Sequence, residues 1–354
     1  MTRLNTVLDP YENNYDVENP IYRTLIGDFL NNLPDYQNKD LLREILVTVV
    51  KLSEQNVTRG DLKILRTAAK ELRHAFRIFD QYRGIPKVSI FGSARTSSNH
   101  PNYQLASDFA QQIVSRGWMG ITGAGPGIME AGNLGSGKSN SFGLNILLPF
   151  EQTANQFVDE DEKLINFKYF FTRKLFFVKE TDAIVVFPGG FGTQDECFEA
   201  LTLVQTGKDS PCPIILIEEE SGLYWKDWLT FFDLQLAGNS LVSKDDQSLF
   251  KIIHSVSEAI EEIIGFYRCY HSLRYVQRRQ KVVLRLLKPL SDQHLEKLNL
   301  EFKDIVAEGS IERCLPFSEE RDEPEIENLP RLVFAFNQKH FSRLRQLIDA
   351  INKP

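Results

Sequence analysis

In Asp182–Glu199, DAIVVFPGGFGTQDECFE, a short apolar run gives way to glycines and then to a helical pattern. Ala183 to Phe187 reads as a fully buried strand, because Val and Ile follow one another without polar alternation. Pro188 stops the run. Gly189, Gly190 and Gly192 permit backbone angles closed to other residues, so the chain can turn sharply and present bare N–H groups. Thr193 is expected as the N-cap of the following helix, and Thr193 with Glu196 spells the capping box T-x-x-E. Strand, glycine turn and helix N-terminus together make a geometry that attracts phosphate.

The flanking chain repeats this alternation. Val88 to Phe91 reads as a strand leaving through Gly92-Ser93, Tyr103 to Ser115 as a helix, and Trp118 to Thr122 as the next strand. Gly123-Ala124-Gly125-Pro126-Gly127 opens another helix, Phe142 to Leu148 forms a third strand, and Phe167 to Glu180 reads as a helix. Beyond the opening stretch come strands at Pro213 to Glu218 and Phe250 to His254, the latter at an edge, and helices at Tyr224 to Leu236 and Val256 to Ile264. Strands alternating with helices predict an α/β architecture, a Rossmann-like, doubly wound parallel sheet over residues 84–266. The turns after Phe91, Thr122 and Pro188 then share the carboxyl edge, where such sheets hold ligands.

Two attachments are expected. Residues 1–83 form an N-terminal extension: an extended arm to about residue 20, containing Asp9-Pro10 and Asn19-Pro20, then two or three amphipathic helices between Ile21 and Tyr82. Leu41, Leu42, Ile45, Leu46, Val49 and Val50 recur at helical spacing, as do Leu62, Leu65, Ala69, Leu72, Phe76 and Phe79, which predicts burial against the core or a second subunit. Residues 267–354 form a small α+β appendage with strands at Lys281 to Leu290 and Arg331 to Phe336, helices at Ser291 to Ile305 and Phe341 to Ile351, and an acidic loop at Ser318 to Glu327.

Composition bounds the function. The 354 residues are 42% hydrophobic and 25% charged, proportions of a soluble globular protein, and a formal charge of −7 gives no reason to expect nucleic-acid or anionic-membrane affinity. Cys197, Cys212, Cys269 and Cys314 form no C-x-x-C pair, and the six histidines no H-x-x-x-H spacing, so neither a disulfide framework nor a metal site is expected. Without a membrane-length apolar run or an apolar segment in MTRLNTVLDPYENN, the expected compartment is the cytoplasm.

Two pattern matches point elsewhere. Gly132-Asn133-Leu134-Gly135-Ser136-Gly137-Lys138-Ser139 fits G-x-x-x-x-G-K-[ST], but it ends a helix and leads into a strand, the reverse of a P-loop. The turn at Gly123–Gly127 lacks the last glycine of a dinucleotide fingerprint, Ile128 standing there, and the next strand ends without an acid for a ribose hydroxyl.

Pro188-Gly189-Gly190-x-Gly192-Thr193-x-x-Glu196, with Arg173 and Lys174 upstream in FFTRK, resembles the signature of the LONELY GUY family of nucleoside 5′-monophosphate phosphoribohydrolases. The likeness runs from about Lys87 to Ile264 and includes GSAR at Gly92–Arg95 and GAGPGIMEA at Gly123–Ala131; Gly143–Phe157 looks like the larger members. Gln194 and Asp195 depart mildly from the family's frequent apolar residue and Glu. The resemblance implies Arg173 and Glu196 as catalytic residues. It implies substrate contacts from Gly92, Ser93, Gly123, Gly125, Gly127, Met129, Glu130, Lys174, Pro188, Gly189, Gly190, Gly192, Thr193 and Asp195. It further implies no metal or organic cofactor, a homo-oligomer with sites near the subunit interface, and release of free base and ribose 5-phosphate from cytokinin riboside monophosphates, AMP, GMP or pyrimidine monophosphates. A carboxylate at Glu196 suits this chemistry, because glycosidic cleavage passes through an oxocarbenium-like cation. As a plain capping residue Glu196 would only stabilise a helix start. The reading from a different class is a nucleotide- or molybdopterin-cofactor-binding carrier or sensor on the same fold, which would not need the Arg173–Glu196 pair.

Overall fold

The structure is a computed structural model and describes residues 16–34, 36–148 and 154–353. These fall into two compact units, one up to Leu72 and one from Arg73 onward. The first contains α1 (Pro20–Asn31), α2 (Lys39–Glu54) and the larger part of α3 (Arg59–Asp80). Ile26 and Leu30 of α1 meet Val47 of α2, with Val17 completing a small core. The Asn19-Pro20 pair opens α1 instead of belonging to an arm: the Asn19 side chain accepts from the Ile21 N–H at 2.9 Å, and proline at the first helical position has no N–H to leave unpaired. The rest of the expected arm, residues 1–15, lies outside the described residues, as do Pro149 to Thr153 of the Gly143–Phe157 segment.

In the second unit, β1 (Lys87–Phe91), β2 (Met119–Thr122), β3 (Ser141–Ile146), β4 (Leu164–Phe167), β5 (Ala183–Val186), β6 (Ile214–Ile217) and β7 (Lys251–Ile253) form one parallel sheet in the order β4-β3-β2-β1-β5-β6-β7. All residues of β1, β2, β5 and β6 are buried, which explains the unbroken apolar runs of β5 and β6, while β1 also buries Lys87 and Ser89 and β2 buries Thr122. Helices α4 (Pro101–Ser115), α5 (Ile128–Ser136) and α9 (Val256–Phe266) share one core with β1, β5, β6 and β7. On the opposite face lies α6 (Phe170–Lys179), with Phe177 against Phe91 at 4.8 Å; α7 (Phe191–Gln205) and α8 (Tyr224–Phe231) follow β5 and β6. The chain winds outward from β1 to β4 and then returns to lay β5 beside β1. Strand order therefore reverses between β1 and β5, and a crevice opens at their carboxyl ends.

One strand of this sheet departs from expectation. Phe167 ends β4 and does not begin a helix. β4 is a four-residue edge strand whose Asn166 is exposed, so its apolar content merges in the sequence with the aromatic start of α6.

A second, antiparallel sheet of order β10-β11-β9-β8 follows, from β8 (Tyr270–Val276), β9 (Lys281–Leu286), β10 (Val306–Arg313) and β11 (Arg331–Phe336), with α10 (Asp292–Glu301) and α11 (Phe341–Asn352). Its apolar face is closed by Leu298, Leu344, Leu347 and Ile348. Strands β8 and β10 carry no apolar run to announce them: β8 is Tyr-His-Ser-Leu-Arg-Tyr-Val, and β10 buries only Ile311.

Candidate active site

Helix α7 begins earlier than its sequence suggests. Its N-cap is Gly190, with extended backbone, and Gln194 N–H closes the first turn on the Gly190 carbonyl at 3.0 Å. Thr193 is thus the third helical residue, and the expected capping box does not form. The Thr193 side chain is buried and folds against Gly189, whose Cβ, if present, would collide with Thr193 Oγ1. Glycine wins the cap position because the chain must leave β5 tightly here. The N–H groups of Gly190, Phe191, Gly192 and Thr193 have no intrahelical acceptors, and the space around Gly190 and Gly192 is open. An anion placed there meets the positive end of α7.

Neighbouring turns support this loop. Ser93 N–H donates to the Pro188 carbonyl at 3.1 Å, and Ile128 N–H donates to the Ser93 carbonyl at 3.1 Å, so the turns after β1, β2 and β5 are tied together. Gly127 has φ +67 and packs on the Ser93 backbone, where any side chain would clash. Gly123 faces the Arg173 guanidinium and Met129 Sδ, and Gly125 faces Met129. Beneath them lies a buried polar cluster that the sequence did not reveal. Thr122 Oγ1 donates to Asn133 Oδ1 at 2.7 Å, and Asn155 Nδ2 donates both to Asn133 Oδ1 at 2.9 Å and to the Gly125 carbonyl at 3.0 Å. Asn133, inside the Walker-like pattern, therefore commits its side-chain oxygen to holding the turn. The buried asparagine within an apolar helix was the available signal.

Arg173 and Lys174 leave α6 in different directions. Arg173 Nε donates to the Leu144 carbonyl at 2.7 Å, and its guanidinium lies 5.1 Å from the Phe177 ring centre. Lys174 Nζ reaches three carboxylates of α7: Glu199 at 2.6 Å, Asp195 at 3.0 Å and Glu196 at 3.3 Å. Glu196 is 10% exposed, against 59% for Asp195. Burial pushes the Glu196 carboxyl above its ordinary 4.5, although Lys174 and Arg173 both pull it down. Burial lowers the Arg173 guanidinium, and Glu196 acts against that. Burial also opposes the Lys174 charge, but hydrogen bonds to Glu199 and Asp195 outweigh it and raise the ammonium. The direct ion pair of Glu196 is therefore with Lys174, and Arg173, held by the Leu144 carbonyl, acts on it through charge alone.

The geometry therefore brings together Gly92, Ser93, Gly127 and Pro188; Gly123, Gly125, Met129 and Arg173; Gly189, Gly190, Gly192 and Thr193; and Lys174, Asp195 and Glu196. Glu130 lies in the first turn of α5, and its charge acts on Tyr103 of α4. Among the described residues no group of three or more His, Cys, Asp or Glu is placed to hold a metal ion. Nor is any helix long and apolar enough to cross a membrane.

A family model described as "possible lysine decarboxylase", the description carried by the LONELY GUY family, matches residues 126–263. Over 117 residues the chain is 29% identical to a cytokinin riboside 5′-monophosphate phosphoribohydrolase of Mycobacterium tuberculosis; the match covers 32% of this chain and 62% of that relative. The resemblance read from the motifs is thus found again by comparison. Among solved structures, the molybdenum cofactor binding protein of Rippkaea orientalis is 20% identical, with a TM-score of 0.37, covering 52% of this chain and 98% of the other. The molybdenum cofactor carrier protein of Chlamydomonas reinhardtii is also 20% identical, with a TM-score of 0.34, covering 51% and 98%. Nothing about a ligand follows from likenesses of that extent.

Proposed function

We propose that this chain, which carries the LONELY GUY signature, hydrolyses the N-glycosidic bond of nucleoside 5′-monophosphates to free base and ribose 5-phosphate. The observation that carries the reading is a buried carboxylate, Glu196, in the field of two cations and one helical turn from an amide-lined cradle. In this reading the 5′-phosphate sits on the N–H groups of Gly190, Gly192 and Thr193, which anchors the ribose. Glu196 then faces the sugar, where an anionic carboxylate offsets the positive charge that develops at C1′ and takes a proton from the attacking water. Arg173 orients ribose hydroxyls or balances charge on the reacting group. Binding energy from the phosphate, remote from the bond that breaks, favours a monophosphate over a free nucleoside. The protein acts as a homo-oligomer in the cytoplasm: Phe170 and Phe171 at the start of α6 and Phe191 at the start of α7 are 50%, 57% and 96% exposed, leaving apolar surface at the site edge for a second subunit to cover.

The test is incubation with AMP, GMP, CMP, UMP and a cytokinin riboside monophosphate, with free base followed by chromatography. Wild-type protein should release base from at least one of them. Glu196→Gln should fold normally and lose roughly a hundredfold or more in kcat, since the amide cannot act as an anionic base. Binding of monophosphates without base release would replace the hydrolase with a carrier, and retained turnover in Glu196→Gln would remove the carboxylate from the mechanism.

A further inference from the structure

The glycine loop is held from outside by a chain of three side chains that no motif marks. Trp228 Nε1 donates to Gln194 Oε1 at 3.0 Å, Gln194 Nε2 donates to Tyr224 Oη at 2.7 Å, and Tyr224 Oη donates to the Gly189 carbonyl at 2.5 Å. The direction of each bond follows from chemistry. An indole N–H can only donate, so the Gln194 oxygen must face Trp228 and its amide nitrogen must face Tyr224. The tyrosine oxygen is then an acceptor on that side, and its own proton is left for Gly189.

The post bearing this hydroxyl is rigid. Glu218, buried, accepts from the N–H groups of Tyr224 at 3.1 Å and Trp225 at 2.9 Å and so fixes the start of α8. Trp225 Nε1 donates to the Ile217 carbonyl of β6 at 3.1 Å, and the Tyr224 ring packs edge-on to Trp225 at 4.9 Å. Tyr224 and Trp228, four residues apart, lie on one face of α8 and reach the same glutamine.

We infer that Tyr224 and Gln194 are positioning residues for the anion cradle, an inference that rests on the reading of that cradle as a phosphate site. In a planar trans peptide the C=O and N–H point in opposite directions, and the chain has no cis bond among the described residues. Holding the Gly189 carbonyl toward α8 therefore aims the Gly190 N–H away from α8. Without the tether, a glycine–glycine peptide has many orientations, and an arriving phosphate must bear the cost of selecting one. Gln194, where family members frequently carry an apolar residue, is this chain's own means of orienting the hydroxyl.

Tyr224→Phe removes the hydroxyl and keeps the ring. Phosphate is held in ground state and transition state alike, so its loss should appear in KM and not in kcat. With whichever of AMP, GMP, CMP or UMP turns over fastest, KM should rise about three- to tenfold, the effect of one hydrogen bond. Inhibition by inorganic phosphate should weaken by the same factor, with kcat and adenosine binding unchanged. Gln194→Leu should move the same two quantities in the same direction. A Tyr224→Phe protein with unaltered KM and unaltered phosphate inhibition overturns the inference, as does a fall in kcat at constant KM. If the wild type cleaves no monophosphate, phosphate affinity is measured by calorimetry: weakening in both variants supports the tether while the hydrolase reading fails, and equal affinity in all three proteins overturns it.

Discussion

At Glu196, burial and charge pull in opposite directions, and burial prevails. The carboxyl stays above its ordinary 4.5, so an enzyme that needs it ionised should lose kcat/KM on acidification sooner than one with an exposed glutamate. Lys174 is the nearest cation, at 3.3 Å. Lys174→Met keeps the length of the side chain, removes the charge, and leaves Asp195, Glu196 and Glu199 facing one another. Each change disfavours the Glu196 anion, so the acid limb of the profile should move to higher pH while activity on the alkaline side falls much less. Because both profiles are measured with one monophosphate, ionisation of its phosphate cancels. A limb that stays in place would mean that the titrating group is not Glu196. The same shift has a sign for stability. A folded-state value above the unfolded one means stability is complete below the unfolded value and declines as pH rises through the folded value. Glu196→Gln, neutral throughout, escapes that decline and should melt at or above the wild-type temperature at neutral pH.

Elements with one strong local signal were legible in the sequence, and those defined by their neighbours were not. Strands β5 and β6 are buried on both faces and read as apolar runs, and the turns after β1, β2 and β5 follow from glycine and from parallel winding. Strand β10 exists because β11 pairs with it, and β4 because β3 does. At the site, the glycine loop was readable as residue types at a spacing, but the spacing paired Arg173 with Glu196, whereas the direct contact is made by Lys174 at 3.3 Å and Arg173 Nε turns to the Leu144 carbonyl. The start of α7 was not readable, because Thr193 satisfies a capping pattern whose position a tight glycine turn takes first. The acidic loop likewise shows its role only in three dimensions. Glu320 lies between two buried arginines, 2.7 Å from Arg285 Nε and 3.2 Å from Arg331 Nε, and Glu323 pairs with Arg285 at 2.7 Å. Burial alone would raise the Glu320 carboxyl, but the Phe317 N–H and the two guanidinium groups hold it below its usual value. Stability from this group is therefore present above the unfolded-state value and lost as pH falls through the folded one. Glu320→Gln strands buried charge and should cost about 3–5 kcal/mol at neutral pH. Urea unfolding at neutral and acidic pH checks this: the gap between variant and wild type should narrow in acid, and a constant gap would show that packing, not charge, ties the loop down.

Across the second unit, the two sheets are joined through α11. Arg345, 1% exposed, donates from Nη1 to the Cys212 carbonyl just before β6 at 2.8 Å, pairs through Nη2 with Glu262 of α9 at 3.0 Å, and lies over the Phe266 ring at 4.6 Å. Nearby, Asn352 Nδ2 donates to the Phe266 carbonyl at 2.5 Å, while its Oδ1 accepts from Cys269 and Tyr270 at the entry to β8. One helix thus completes the core of the small sheet and satisfies buried polar groups of the large one. The two should consequently unfold as a single cooperative body. Arg345→Met preserves most of the apolar stem but removes the hydrogen bond to the Cys212 carbonyl and the guanidinium beside Glu262, which keeps its pairing with Lys251. A loss of about 3–5 kcal/mol is expected, seen as a fall in Tm of several degrees. Amide hydrogen exchange distinguishes cooperative loosening from local fraying. Protection should drop together in β5, which leads into the glycine loop, and in β11 of the small sheet. If β11 exchanges faster while β5 keeps its protection, the sheets are energetically separate, and the carboxyl-terminal sheet contributes nothing to holding the site.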